Sequence, residues 1–198
     1  DEVRSAKYLF DYLNALKNGW FWLEGNHEVR FKSYAAKNPT LRSLGYTVKK
    51  LLNEVDPTIL SNCVYLESDT RLVLNPTAVL EHGHNMSRAL KPKAEYCLVE
   101  DYPEQTSIIG HTHKIFNVHK TVHGMSGVPI IRSVYSVGHL SDETKQNYVK
   151  DPKWQEGFMV ITVYVDNMRI HRYDYHQILI EKDRSGRPSF TLWGKVYK

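Results

Sequence analysis

Three short stretches carry the residues best suited to chemistry: Gly25-Asn26-His27-Glu28, His82-Gly83-His84 and Gly110-His111-Thr112-His113. Each follows a short apolar run, FWLE, AVLE and SII in turn, and together they hold five of the chain's ten histidines. Neutral imidazole is the commonest nitrogen ligand, and an asparagine carbonyl oxygen suits a hard divalent cation. The glycine in each stretch lets the backbone turn sharply and brings a side chain against an ion. One such stretch alone reads as a polar turn. Three of them at the ends of apolar runs point to a shared metal site drawn from Asn26, His27, His82, His84, His111 and His113. Cys63 and Cys97 lie far from these stretches in sequence, which excludes a cysteine-built zinc site. Mixed oxygen and nitrogen ligation suits manganese, iron, zinc or similar ions, and spacing does not choose among them.

The elements that must position these residues follow from periodicity. Val3, Ala6, Leu9, Phe10, Leu13 and Leu16 recur at steps of three or four, giving a helix over residues 3–16 that Gly19 ends. Trp20–Leu23 is bulky enough for a buried strand. Helices are expected over Glu28–Lys37 and Leu41–Val55, separated at Asn38-Pro39. From Cys63 onward short strands take over: Cys63–Leu66, Arg71–Leu74, Ala78–Glu81, Tyr96–Glu100 and Ser107–Ile109. Lys114–Lys120, Val128–Val137, Phe158–Val165, Arg169–Ile180 and Ser189–Val196 continue the series, with a tight turn at Asp166-Asn167. Asp142–Lys153 is polar and reads as a surface excursion. A helix-rich first third and a strand-rich remainder imply an α/β protein of packed sheets with helices outside. In open α/β sheets, ligands bind where loops leave the carboxyl ends of strands, which is where the three stretches fall.

Composition sets the outer bounds. The 198 residues are 41% hydrophobic and 24% charged, an ordinary globular balance that one domain over residues 1–198 can accommodate. No apolar run approaches the roughly 20 residues that cross a bilayer, so no membrane partner is expected. Two cysteines, each in an apolar segment, read as buried thiols in a reducing compartment, which fits a cytoplasmic location. A net charge of +4 favours acidic partners mildly, without a basic tract that would single out nucleic acid.

The three stretches resemble, in order, the later motifs of the calcineurin-like metallophosphoesterase superfamily: G-N-H-[DE], a strand ending in His-Gly, and G-H-x-H. Trp154-Gln155-Glu156-Gly157-Phe158 is similar to the closing strand region of phage-type and bacterial members. The resemblance implies a sandwich of two packed mixed β-sheets flanked by helices. It implies hydrolysis of phosphate esters at a dinuclear centre of two divalent ions, manganese foremost, with iron, zinc, nickel or magnesium as alternatives. Asn26, His82 and His111 would bind one ion and His113 the other. His27 would protonate the leaving oxygen, Glu28 would orient that imidazole or its loop, and Arg30 would touch substrate phosphate. His84 reads as a polar loop residue.

Neither the superfamily's D-x-H nor its G-D-x-x-D precedes Asn26, where only Asp1, Glu2, Asp11 and Glu24 stand as acids. A two-metal centre needs an anionic bridge to hold its cations about 3.5–4 Å apart. The sequence therefore suggests a chain that starts inside a longer polypeptide. Its missing strand-helix-strand would be removed or present as a separate chain; a member that has lost one metal site is the second account. A phosphoester substrate, nucleotide or nucleic acid by charge and by the phage-type likeness, is the expected partner. The rival readings are a catalytically degenerate structural or regulatory protein and a non-catalytic nucleic-acid-binding module that uses Lys49, Lys50, Arg88, Lys91 and Lys93.

Overall fold

The computed structural model describes residues 7–68, 70–75, 78–83, 106–123, 127–141 and 153–198. The strand expected at Tyr96–Glu100, the excursion expected over Asp142–Lys153 up to residue 152, His84 and Cys97 lie outside the described residues. The architecture is mixed α/β, with several sheets and few helices. The chain divides into two compact units, residues 1–72 and 73–198. Among the described residues, no helix is long and apolar enough to cross a membrane.

In the first unit, α1 (Lys7–Asn14) is followed by β1 (Trp20–Leu23), α2 (Asn26–Lys37), α3 (Pro39–Ser43), α4 (Val48–Val55) and β2 (Cys63–Leu66). β1 and β2 pair in parallel, with Trp20 opposite Cys63 and Trp22 opposite Tyr65. Phe10, Leu52 and Ile59 form the buried centre, and Trp20, Trp22 and Tyr65 pack on it. The Phe10 ring lies 6.1 Å from that of Trp20 and 5.6 Å from that of Trp22, both in stacked orientation. The Trp20 indole N–H, which burial would otherwise strand, donates to Asn14 Oδ1 at 2.9 Å. Phe10 alone carries the packing face of α1 into the core; Leu9 and Leu16, expected inward, are exposed.

Two helix expectations change. α2 starts at Asn26 rather than Glu28, so Asn26 and His27 belong to its first turn. The single helix expected over Leu41–Val55 is two helices. Gly45 takes φ +62°, its N–H bonds Arg42 O at 3.1 Å, and Tyr46 N–H reaches back to Leu41 O at 3.1 Å. That closes α3 with a left-handed glycine, and Thr47 then caps α4 by accepting from Lys50 N–H at 3.1 Å.

In the second unit, β3 (Leu72–Asn75), whose first residue closes the first unit, β4 (Ala78–Glu81), β5 (Thr106–Ile109), β6 (Ile115–His123) and β7 (Pro129–Val137) form one sheet in the order β3-β4-β5-β7-β6. β4, β5 and β7 run parallel, and β6 pairs with β7 antiparallel. β5 is buried at all four positions, the pattern of a parallel strand covered on both faces. Ile109 and Val134 form its core with Phe116 and Val118 against them.

β8 (Gly157–Asp166) and β9 (Arg169–Leu179) make a long antiparallel hairpin whose turn is Asn167-Met168, one residue later than expected. This hairpin joins the sheet through Gln177, whose side-chain amide donates to Phe116 O and Ser136 O, each at 2.8 Å. The strand expected over Ser189–Val196 is a hairpin instead: β11 (Pro188–Leu192) turns at Trp193-Gly194 into β12 (Lys195–Tyr197), after the two-residue β10 (Glu181–Lys182).

Gly157 opens β8 in a space that admits no side chain. A Cβ there would stand 2.3 Å from Ile178 O and 2.4 Å from Ile115 Cδ1. Gly157→Ala is therefore expected to lower stability by roughly 1–3 kcal/mol through overpacking, read as a fall in the urea midpoint.

Candidate metal-ligand histidines and the loops that hold them

The register of β4 on β5 decides where the histidines meet. Glu81 pairs with Ile109, so His82 and Gly110 leave their strands side by side. A Cβ built on Gly110 would lie 3.7 Å from His82 O and 3.8 Å from His82 Nδ1. The next residue, His111, brings its ring centre to 5.2 Å from that of His82, with the planes 64° apart.

His111 and His113 both sit on left-handed backbone, with φ of 52° and 57°. For non-glycine residues this costs roughly 1–3 kcal/mol each and persists only where surrounding contacts impose it. Those contacts converge on the residue between them. Thr112 N–H bonds Gly110 O at 2.5 Å across His111, and Thr112 Oγ1 lies 2.5 Å from Ser136 Oγ and accepts from Lys114 N–H at 3.2 Å. Ser136 on β7 is wholly buried. The loop is thus tied at its midpoint to the central sheet.

His113 faces a different neighbourhood. Its ring lies 4.4 Å from that of Trp154, edge-on, and 5.4 Å from that of His139, which is buried. The segment entering β8 threads between the two histidine backbones: Gln155 N–H donates to His113 O at 2.9 Å, and His139 N–H donates to Gln155 O at 3.2 Å. Gln155 Oε1 also accepts from Ile115 N–H at 2.9 Å. His139 Nδ1 accepts from Ser141 N–H at 3.2 Å and lies 2.8 Å from Ser141 Oγ. Trp154 meets both imidazoles edge-on, its ring 5.7 Å from that of His139.

The remaining candidates belong to the first unit. Asn26 is the first residue of α2, half-buried, while His27 and Arg30 are exposed and, three residues apart, are neighbours on the helix surface. Glu28 holds the loop: its Oε2 accepts from Gly25 N–H at 2.8 Å, one half of a capping box. Glu24, one residue before that glycine, is buried and fully engaged. Its Oε2 accepts from Lys32 Nζ at 2.6 Å and Ser68 N–H at 2.8 Å, and its Oε1 accepts from Tyr65 O–H at 2.6 Å. Burial pushes the Glu24 carboxyl up, but Lys32, Tyr65 and Ser68 together outweigh it and hold the group below its ordinary 4.5. Burial and the adjacent carboxylate raise the Tyr65 phenol strongly.

Two imidazoles sharing one ion at bond lengths of about 2.1 Å and a tetrahedral angle set their ring centres about 5 Å apart. The His82–His111 pair matches that spacing at 5.2 Å. Among the described residues, no group of three or more His, Cys, Asp or Glu side chains comes together in a way that could hold a metal ion. Within the second unit the rings of His82 and His111 stand together, while that of His113 lies against His139 and Trp154.

No protein-family model matches the chain, and no curated protein sequence matches it. Among solved structures it is similar to Vps29 from Entamoeba histolytica. A single-substitution variant of that protein aligns at 14% identity and a TM-score of 0.40, covering 96% of this chain and 86% of the other. A double-substitution variant aligns at 13% and 0.38 with the same coverage. The wild-type protein complexed with zinc aligns at 16% and 0.34 over 73% of each chain.

Ser136, Gln155 and Glu24 position the motif loops, and periodicity gave no sign of their partners. The signals were small: a serine inside the apolar run of β7, a glutamine just before Gly157, and an acid closing an apolar strand.

Two outcomes follow. Thr112→Val and Ser136→Ala should each cost on the order of 1 kcal/mol, and a double-mutant cycle should return a coupling of similar size if the hydroxyl contact anchors the loop. Because the folded value of Glu24 lies below 4.5, its contribution is complete above that pH and drains as pH falls through the folded value. Protection factors for amide exchange at the β1–α2 junction, corrected for the intrinsic rate, should therefore fall in acid, and Glu24→Gln should flatten that dependence.

Proposed function

We propose that the chain is the larger part of a metal-dependent phosphoesterase of the calcineurin-like superfamily, acting on a nucleotide or nucleic-acid phosphoester. The observation that carries this reading is the His82–His111 pair, placed by adjacent parallel strands at a ring separation suited to one shared ion. The order of the three motifs along the chain supports it.

His82 and His111 would hold a divalent ion, and His113 would serve a second. A divalent ion in such a site supplies Lewis acidity to phosphoryl oxygens and lowers the pKa of bound water. The chain's own groups account for the rest. The left-handed loop pinned at Thr112 holds the backbone from which His111 and His113 extend. Arg30, exposed on α2, offers planar paired donors to equatorial phosphate oxygens. His27, also exposed, would hold a proton and deliver it to the departing alkoxide oxygen. No covalent intermediate is required, which agrees with a half-buried Cys63 whose thiol is pushed up by burial and so kept from the nucleophilic thiolate form.

The absence of a three-donor group among the described residues favours a second reading, a fold of this kind used as a structural or regulatory scaffold. Metal content and turnover separate the two. With manganese added, His111→Ala is expected to lose bound metal and activity together. His27→Ala should retain metal while turnover on a model diester falls by about 10²–10⁴-fold, the range typical of a lost general acid. Equal metal loss in both variants would refute the acid role, and a chain that takes up no divalent ion would leave the scaffold reading standing.

A further inference from the structure

A cleft in the second unit, apart from the His82–His111 pair, has the makings of a separate binding site. The hairpin of β11 and β12 turns through two residues, Trp193 and Gly194, at φ of 48° and 74°. Such two-residue turns favour Asn or Asp followed by Gly, because a bulky side chain is strained on left-handed backbone. Here the position holds a tryptophan that is 65% exposed, so burial does not explain it. A strained, exposed, large aromatic is an outlier of the kind that marks functional positions.

Trp193 borders an open surface cleft of about 500 Å³. Facing residues include Asn117, Tyr135, Tyr175, His176 and Gln177. Tyr135 and Tyr175 stack at 5.1 Å, and His176 meets the indole edge-on at 6.2 Å. Gln177 is committed to the sheet, and Asn117 Nδ2 donates to its Oε1 at 2.9 Å. Asn117 is exposed and His176 half-buried, so both side chains are within reach of a ligand. Among the described residues, no Asp, Glu, Lys or Arg lines the cleft, so it suits an uncharged group with a flat face and a polar edge.

We propose that this cleft binds a nucleobase, with Trp193 as the stacking platform and Asn117 and His176 reading the polar edge. Aromatic stacking tolerates any base face, while an amide oxygen and an imidazole supply the directional contacts. The site is independent of the phosphoesterase reading and needs no metal.

Adenosine, an uncharged nucleoside, is the probe, titrated into the full chain in EDTA and followed by tryptophan fluorescence and calorimetry. Saturable binding is expected, with Trp193→Phe retaining most of it and Trp193→Asn weakening it at least tenfold. Because asparagine accepts left-handed backbone, Trp193→Asn should also keep or raise the thermal midpoint. A lowered midpoint would show that the indole serves packing and would overturn the proposal. Unchanged binding in Trp193→Asn, no binding of adenosine, or glucose binding as tightly as adenosine would overturn it equally. Since metal is absent throughout, failure here is distinct from failure of the phosphoesterase reading.

Discussion

The parallel register of β4, β5 and β7 is the constraint on which the histidine site depends. Pairing Glu81 with Ile109 makes His82 and Gly110 leave the sheet together, and pairing Ile109 with Ser136 puts the anchor for Thr112 on the neighbouring strand. A slip of one residue would send every side chain of a strand to the opposite face. Full burial of β5 resists such a slip, since Ile108 and Ile109 would exchange environments and Ser107 would meet new ones. Core packing and ligand placement are therefore one constraint, enforced by the same four residues.

The loop after β5 shows how that rigidity is put to use. Two consecutive ligand candidates on left-handed backbone are unfavourable locally, and the sheet compensates through the Thr112–Ser136 hydroxyl contact and the Gln155 clasp on His113 O. The first unit uses a related device with charge. Glu24 is buried with lysine, tyrosine and backbone partners, so the strand end that leads into Asn26 is fixed from beneath by a fully satisfied carboxylate. Removing any one partner would leave a buried charge short of a bond, and the resulting penalty makes the network cooperative.

The sites differ in what they ask of a ligand. The paired rings of His82 and His111 offer borderline nitrogen donors, the kind that suit a transition-metal cation. The cleft under Trp193 offers ring faces and neutral polar edges and suits an uncharged heterocycle.

Periodicity and turn residues made much of this legible in advance. Trp20–Leu23, Cys63–Leu66 and Ala78–Glu81 are strands with the expected bounds, because dense apolar runs bracketed by polar residues leave little choice. His82 and His111 both follow short apolar runs, and those runs are adjacent parallel strands. What the sequence determined by itself was which donors stand at which strand ends. Tertiary structure alone decided the left-handed turns at His111, His113 and Trp193, the split of the Leu41–Val55 helix at Gly45, and the pairing of His113 with His139 and Trp154. Those features arise from contacts between residues far apart in the chain, and local propensity carries no information about a hydroxyl or a ring that arrives from another strand.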